Sequence, residues 1–283
     1  MTLILYNPLS RNCRNSRHIK KLTKRLIKKG HEIQLHSLIE IVDVEGFINA
    51  CHLDDEIIIV GGDGTLNRLA NRVYGIDFKQ KIYLYQAGTG NDFARSLKIR
   101  GRLIQINDYL KNLPQIKFNA EEKYFLNGAG IGLDGYVVSL VNESNRKKNK
   151  INYFRHAFLG FKRFKPIGGT LIIDGKEIVE DKIWFVAAMN APYFGGGMKI
   201  APKADRKEAL LDVVVVRKIA KWKLILIFPI IYLGWHTALK KYVQIYKAKN
   251  IEIKFKKETY MQIDGDHYYP IQTVNLIAAN KEG

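Results

Sequence analysis

The chain has little cysteine. Cys13 and Cys51 are the only two in 283 residues, and neither lies in a metal-ligand spacing. A disulfide framework and a cysteine-based zinc site are therefore excluded. The seven histidines, His236 among them, show no ligand pairing in their spacing, so we assign no metal to them.

Long apolar runs are also missing. The longest, Leu224 to Trp235, has 12 residues and contains Pro229, whereas about 20 are needed to cross a bilayer. The amino terminus has no basic leader and only about five apolar residues, fewer than the about 7 to 15 of a signal peptide. We therefore expect a cytoplasmic protein without a membrane-spanning segment.

Acidic residues are scarce relative to basic ones. The 27 Asp and Glu face 46 Lys and Arg, which gives a formal charge of +19. Such a surface attracts polyanions: nucleic acid, an anionic membrane or a phosphorylated substrate. Solvated lysine-rich helices are the plainer explanation. No nucleic-acid-binding motif accompanies the lysines, so no nucleic-acid partner is expected.

Apolar periodicity predicts two kinds of structure. A 47% apolar fraction excludes disorder, and the length suggests two domains. Residues 1–118 alternate short β-branched runs with amphipathic stretches, such as a strand at 3–6 and a helix at 16–29, which is typical of an α/β domain with a parallel sheet. Residues 119–283 predict mostly antiparallel β-strands, with a hairpin turn at Asp174-Gly175 and a last strand that is a candidate to return to the first domain.

Two glycine loops follow predicted strands. GGDGT at 61–65 and AGTGND at 87–92 can bring backbone N–H groups close to a phosphate at a helix N-terminus. Asn91 or Asp92 is expected to cap the second helix. The first loop lacks the Gly-Lys-Thr or Gly-Lys-Ser ending of a Walker loop. A tight turn that merely needs glycine is the alternative explanation.

Five segments in order resemble one family. They are GGDGTLN at 61–67, AGTGNDFARSL at 87–97, NGAGIGLDGYV at 127–137, NAPYFGGGMKIAPKA at 190–204 and YMQIDGDHY at 260–268. Together they resemble the diacylglycerol kinase catalytic family, in its bacterial soluble lipid kinase branch. The likeness extends from Asn7-Pro8 to the last predicted strand.

The resemblance implies a fold and a reaction. The fold would be NAD kinase/diacylglycerol kinase-like, with an N-terminal Rossmann-like α/β lobe, a C-terminal β-sandwich lobe and an active site in the cleft between them. The reaction would transfer the ATP γ-phosphate to a lipid hydroxyl, most of all that of diacylglycerol, at an anionic membrane surface. A cytoplasmic, peripherally membrane-associated enzyme is expected. The resemblance does not decide whether the chain forms a homodimer. The alternatives are a non-catalytic lipid or nucleotide binder and an NAD kinase-like enzyme.

The resemblance also implies site residues. The cofactors would be ATP and Mg²⁺, and the catalytic carboxylates would be Asp264 and Asp266, with Asp63 as an alternative base. A type I′ hairpin turn at Asp264-Gly265 without a chemical role is the alternative interpretation. At 266 an Asp replaces the family's Glu and shortens the side chain by one methylene. Mg²⁺ would lie near Asp205, Glu208 and Leu210, with Asp134 in the surrounding network. The nucleotide would contact Asn7, Pro8, Ser10, Arg11, Ser37, Gly61, Gly62, Asp63, Gly64, Thr65, Asn67, Arg68, Gly88, Thr89, Asn91 and Asp92.

Several positions depart from the family pattern. Arg68 replaces a usual Glu, Arg72 replaces a usual Gly, and Glu208-Ala209 stands where an Asp-Gly pair would precede the metal-binding strand. The added arginines could hold a triphosphate by bidentate contacts. These departures are also compatible with a phosphate acceptor other than diacylglycerol.

The segment after residue 218 has tryptophan near both ends of its apolar stretch. Lysines lie beyond both Trp222 and Trp235, an arrangement typical of a segment that lies in the headgroup layer of a membrane. A buried core helix is the alternative.

Overall fold

The computed structural model describes residues 1–8, 16–88, 90–99, 101–144 and 150–281. The chain divides into two compact units, Met1–Lys111 and Asn112–Gly283. Both have the fold class that the sequence predicts. Ser10, Arg11 and Thr89, three of the predicted nucleotide contacts, lie outside the described residues.

The first unit is a five-stranded sheet with helices. The strands are β1 (Thr2–Tyr6), β2 (Ile33–Ser37), β3 (Glu56–Gly61), β4 (Lys81–Gln86) and β5 (Leu103–Gln105), and the helices are α1 (Ser16–Ile27), α2 (Val44–Asn49), α3 (Asp63–Val73) and α4 (Asp92–Leu97). Their spatial order is β2-β1-β3-β4-β5. The first four strands are parallel and β5 is antiparallel to β4. The predicted α/β domain is confirmed.

Burial explains this sheet. Ile57 to Val60 on the inner strand β3 are each at most 1% exposed, because a parallel strand in the middle of a sheet is covered on both faces. Leu22 and Leu26 of α1 pack against Ile4 and Ile58. The edge strand β2 leaves Leu35 half exposed.

The strand order positions the loops. From β1 the chain moves outward to β2 and then returns to the other side of β1 as β3. Connections therefore leave β1 and β3 in opposite directions at their carboxyl ends. In open α/β sheets, ligands bind at such a switch point.

The second unit is dominated by one antiparallel sheet. Its strands are β6 (Gln115–Phe118), β7 (Glu121–Tyr124), β8 (Gly128–Gly132), β9 (Ile167–Ile173), β10 (Lys176–Met189), β11 (Leu211–Arg217), β12 (Val243–Ala248), β13 (Asn250–Ile263) and β14 (Asp266–Ile277). Its helices are α5 (Leu133–Asn142), α6 (Lys150–Arg163) and α7 (Lys221–Ile227), followed by 3₁₀ turns at Phe228–Leu233 and Trp235–Ala238. The last strand β14 pairs with β6, whose residues the sequence assigned to the first domain; both strands belong to the second unit.

Alternate side chains of this sheet enter two cores. Val186 and Ala188 of β10 join a core built from strands. Ala187 and Met189 join a second core with residues of α5, α6 and α7. Successive strand residues point to opposite faces, so the long apolar run of β10 is explained by burial on both sides.

Candidate active site

Four predicted nucleotide-binding segments follow parallel strands. Asn7 and Pro8 follow β1, Ser37 ends β2, Gly61 ends β3, and Gly88 comes two residues after β4. Because the carboxyl ends of neighbouring parallel strands meet at one edge of a sheet, these segments share that edge. It is the edge at which the strand order predicts a ligand.

The two glycine loops touch through their backbones. A Cβ atom added to Gly62 would lie 2.7 Å from Gly88 Cα, and one added to Gly88 would lie 2.5 Å from Gly62 Cα. The Ala87 N–H donates to Gly61 O at 2.8 Å. Packing alone thus requires glycine at 62 and 88, which supports the tight-turn explanation for these two positions.

Gly64 lies in the first turn of α3, where packing does not require glycine. No described atom lies within 4 Å of a Cβ built there, and its φ is outside the left-handed region. Glycine in a helix is about 1 kcal/mol less favourable than alanine, so the fold itself would prefer a side chain. The first N–H groups of a helix lack intrahelical partners and attract anions. The open space at Gly64 is therefore suited to the close approach of a phosphate.

Asp63 connects the two loops. Its carboxylate accepts hydrogen bonds from the N–H groups of Asp92, at 3.0 Å, and Phe93, at 2.8 Å. It thereby caps the N-terminus of α4. Asn91 occupies the cap position with a φ of 52° but makes no side-chain cap bond, and Asp92 pairs with Arg95 at 2.6 Å. The expectation that Asn91 or Asp92 caps α4 through its side chain is wrong, because the cap comes from a residue about 30 positions earlier in the chain.

This capping role changes the prediction for Asp63. Both of its carboxylate oxygens accept backbone hydrogen bonds, and these hold the side chain in place. Asp63 is therefore better placed to position the loops than to remove a proton from a substrate.

Arg72 does not extend the phosphate site. Its guanidinium donates to the carbonyl oxygens of Leu38, at 2.9 Å, and Val42, at 3.2 Å, and also to that of Ile41. The expectation that Arg72 contacts a phosphate is therefore replaced by a structural role, since its side chain holds the turn after β2. Arg68 is exposed on α3, whereas Asn67 is buried.

Ser37 has a buried hydroxyl group beside a pocket. Within the described ranges the Oγ atom has no hydrogen-bond partner, and Ser37 as a whole is only 7% exposed. Buried hydroxyl groups are normally paired with protein, water or ligand. The pocket has a volume of about 380 Å³ and is lined by Ser37, Val42 and Phe47 among others. This geometry suits the predicted nucleotide contact.

In the second unit, Asp264 and Gly265 form the turn between β13 and β14. Their φ angles are 45° and 97°, and Ile263 pairs with Asp266 across the turn. Positive φ at both central residues defines a type I′ turn. The same turn type joins β9 to β10 at Asp174 and Gly175, with φ angles of 46° and 81°, as the sequence predicts.

Asp264 is buried and is bound to the start of β8. Its carboxylate accepts hydrogen bonds from the N–H groups of Leu126 at 2.6 Å, Asn127 at 3.0 Å and Gly128 at 3.1 Å. Three such bonds fix the position of the carboxylate. Asp264 is thus a positioning group for the turn, whereas Asp266 at the start of β14 is only half-buried.

Further hydrogen bonds hold this turn. Gln262 Oε1 accepts from the Gly265 N–H at 2.9 Å, and Asn142 Nδ2 donates to Gly265 O at 3.0 Å. The Leu126 carbonyl accepts from Asn190 Nδ2 at 2.9 Å and from Arg206 at 3.1 Å. Of these partners, Asn142 and Arg206 lie outside the five segments that carry the family resemblance. The network fixes the backbone that presents Asp266.

Asp134, near the start of α5, is a buried carboxyl group. Burial raises its pKa from 3.8 to about 7, while a hydrogen bond from Gln262 opposes the shift. Gln262 Nε2 donates to Asp134 Oδ2 at 2.9 Å. Gly130 makes room for the carboxyl group, since a Cβ there would lie 1.9 Å from Oδ2.

The raised pKa of Asp134 predicts a pH-dependent stability. Between pH 3.8 and about 7, the folded protein keeps a proton that the unfolded chain releases, so this group lowers stability as pH rises. Asp134→Asn should therefore raise the unfolding temperature relative to the native protein at pH 8 and change it little at pH 4. Thermal unfolding over this range tests the prediction. A difference between the two proteins that does not grow with pH would contradict it.

The predicted Mg²⁺ ligands do not assemble. Among residues that the structure describes, no three Asp, Glu, His or Cys side chains converge on a possible metal position. Asp205 accepts a hydrogen bond from the Lys207 N–H at 3.0 Å. The Glu208 carboxylate pairs with Lys247, whose Nζ also lies 3.9 Å from Asp212 Oδ1. An ammonium group supplies the positive charge at Glu208, so these residues do not fit the metal site that the resemblance implies.

This ion pairing predicts that Mg²⁺ does not stabilise the protein without nucleotide. The unfolding temperature should stay constant as Mg²⁺ is added. Lys247→Met should lower the unfolding temperature, because Asp212 is buried and loses its cation. The expected loss of unfolding free energy is about 1 kcal/mol. Differential scanning calorimetry measures both. A rise in the unfolding temperature of the native protein with Mg²⁺ would show that a metal competes with Lys247.

Comparison with known proteins gives matches over both units. Residues 1–118 match the family described as the diacylglycerol kinase catalytic domain, and residues 128–276 match the YegS C-terminal NAD kinase beta sandwich-like domain. The diacylglycerol kinase of Mycobacterium tuberculosis is 26% identical over 226 residues, covering 77% of this chain and 72% of that protein. The diacylglycerol kinase of Bacillus subtilis is 23% identical over 282 residues, covering 96% and 92%.

A solved structure has the same fold. The crystal structure of a diacylglycerol kinase from Bacillus anthracis aligns with a TM-score of 0.63 at 20% identity, covering 98% of this chain and 94% of that one. At this identity the likeness concerns the fold.

Proposed function

Because the chain belongs to the lipid kinase family that combines a diacylglycerol kinase catalytic domain with a YegS C-terminal domain, we propose that it phosphorylates diacylglycerol to phosphatidic acid. The chain is a kinase by its family, and the kinase family implies ATP as the phosphate donor. The acceptor and product are the proposal. The observation that supports it best is the pair of fixed glycine loops, in which no described atom lies within 4 Å of a Cβ built at Gly64.

The first unit would bind the nucleotide. The phosphates approach the N-terminus of α3 at Gly64, where helix N–H groups and the absence of a side chain suit an anion. Asp63 holds the second glycine loop in place through α4. Ser37, with its unpaired buried Oγ in the part of the chain described, offers a hydroxyl to the nucleotide from the end of β2.

The second unit would supply the base. Asp266 accepts the proton of the lipid hydroxyl, whose oxygen forms a bond to the γ-phosphorus as the bond from that phosphorus to the bridging oxygen of ADP breaks. Phosphoryl transfer depends mainly on positioning and charge stabilisation. Asp264 acts through the turn, because its carboxylate is occupied by three backbone N–H groups.

The test is transfer of labelled γ-phosphate from ATP, supplied as its Mg²⁺ complex. The native protein is incubated separately with diacylglycerol vesicles, a mixed membrane-lipid extract and NAD. Label in phosphatidic acid supports the proposal. If a different lipid of the extract is labelled, that lipid rather than diacylglycerol is the acceptor. Label in NADP alone favours the NAD kinase-like alternative. ATP binding without any transfer favours the non-catalytic binder.

A further inference from the structure

An exposed apolar surface lies on the second unit. Five large side chains are more than half exposed there, on α6, α7 and the two 3₁₀ turns that follow: Phe158 (54%), Trp222 (61%), Leu226 (67%), Leu233 (55%) and Trp235 (66%). We call these five residues the aromatic surface. Single exposed apolar residues are ordinary, whereas a concentration of them indicates an interaction site.

The elements that carry the aromatic surface pack against one another. The Phe154 ring stacks on Tyr232 at 5.6 Å and meets Phe228 edge-on at 5.5 Å. Lys221 Nζ donates to Lys162 O at 2.8 Å. These contacts make α6 a direct neighbour of α7 and of Phe228–Leu233.

The same elements are anchored by their other side. Leu224 and Ile231 are buried in the core that covers the sheet, and His236 Nε2 hydrogen-bonds Ile200 O at 2.9 Å in a buried position. The segment after residue 218 is therefore apolar on both sides. Its inner side is core, and its outer side needs a different explanation.

Charge identifies the partner. Residues 150–165 and 218–241 each contain five Lys or Arg and no Asp or Glu. Of these, Lys218 is paired with Glu180 at 2.9 Å. Lys223 Nζ lies 5.3 Å from the Trp222 ring centroid, and Lys241 lies 5.8 Å from that of Tyr242. Exposed tryptophans among lysines, in segments whose own sequences contain no acidic residue, complement a headgroup layer that is apolar below and anionic above.

We infer that the aromatic surface docks on an anionic lipid bilayer. A second copy of the chain would bring the same positive charge to the same face, which disfavours a dimer through this surface. None of the described helices has the length and apolar character needed to cross a membrane, so docking is peripheral. Docking itself does not depend on the proposed function. Only its biological role, the delivery of the enzyme to a lipid acceptor, rests on that function.

Vesicle sedimentation of the full chain tests this inference. The native protein should bind phosphatidylcholine vesicles that contain phosphatidylglycerol more tightly than phosphatidylcholine alone, and salt should weaken binding. Trp222→Ala with Trp235→Ala should weaken binding by about tenfold or more, since both rings leave the headgroup layer. Lys240→Gln and Lys241→Gln should weaken it by about fivefold each. Val179→Ser, at an exposed apolar residue of β10, is the matched control and should change nothing.

A second readout separates this inference from the proposed function. With a water-soluble short-chain diacylglycerol, the double tryptophan variant should keep native phosphorylation, and with diacylglycerol in anionic vesicles it should lose it. Vesicle binding without phosphorylation of either acceptor would contradict the proposed function and support membrane docking through the aromatic surface. Native vesicle binding by the double variant would overturn the inference. So would a native dimer that this variant dissociates, which gel filtration would detect.

Discussion

Asp266→Asn is expected to reduce phosphate transfer by about a hundredfold or more, the range typical of a lost general base, and to lower the unfolding temperature less than the same change at Asp264 does. The Asp266 side chain is half-buried at the start of β14, whereas Asp264 is buried. Asp264→Asn should act differently. An amide offers one acceptor oxygen to three backbone N–H groups, so this change should destabilise the protein by about 1–3 kcal/mol.

The pair of variants separates chemistry from positioning. Labelled phosphate transfer and thermal unfolding are measured on both proteins, and Asp181→Asn, which alters an exposed carboxylate of the same unit, is the matched control. Asp266→Glu restores the acid of the resembled family and should keep at least native activity. Native turnover by Asp266→Asn would remove Asp266 as the base. A stable, inactive Asp264→Asn would instead assign a direct chemical role to Asp264.

Gly64→Ala should weaken ATP binding by about tenfold or more while raising the stability of the protein without nucleotide by up to about 1 kcal/mol. The new methyl group meets no described atom within 4 Å, and alanine favours a helix more than glycine does. The loss of affinity would come from the phosphate that the methyl group displaces. Titration calorimetry with ATP and thermal unfolding measure the two effects.

Gly62→Ala is the contrasting variant. Its Cβ would lie 2.7 Å from Gly88 Cα, a backbone atom that moves only with its whole loop. This change should therefore destabilise the protein itself, by about 1–3 kcal/mol. If Gly64→Ala bound ATP with native affinity, the phosphate site would not lie at the start of α3.

Most of the fold could be predicted from the sequence. Apolar alternation and helical spacing are local properties, so the α/β first unit, the antiparallel second unit and the turns at Asp174-Gly175 and Asp264-Gly265 followed from short stretches of chain. The motifs also located both glycine loops.

Tertiary structure decided what individual site residues do. Asp63 caps a helix about 30 residues further along, and the partners of Asp264 lie more than 130 residues away in sequence. Lys247 similarly pairs with Glu208 across 39 positions. A motif specifies which residue types occur in a loop, but the partner of a carboxylate depends on which other segment folds against it. The sequence by itself therefore determined the family and its loops, and only the folded chain separated the carboxylates that hold the structure from Asp266, the candidate base.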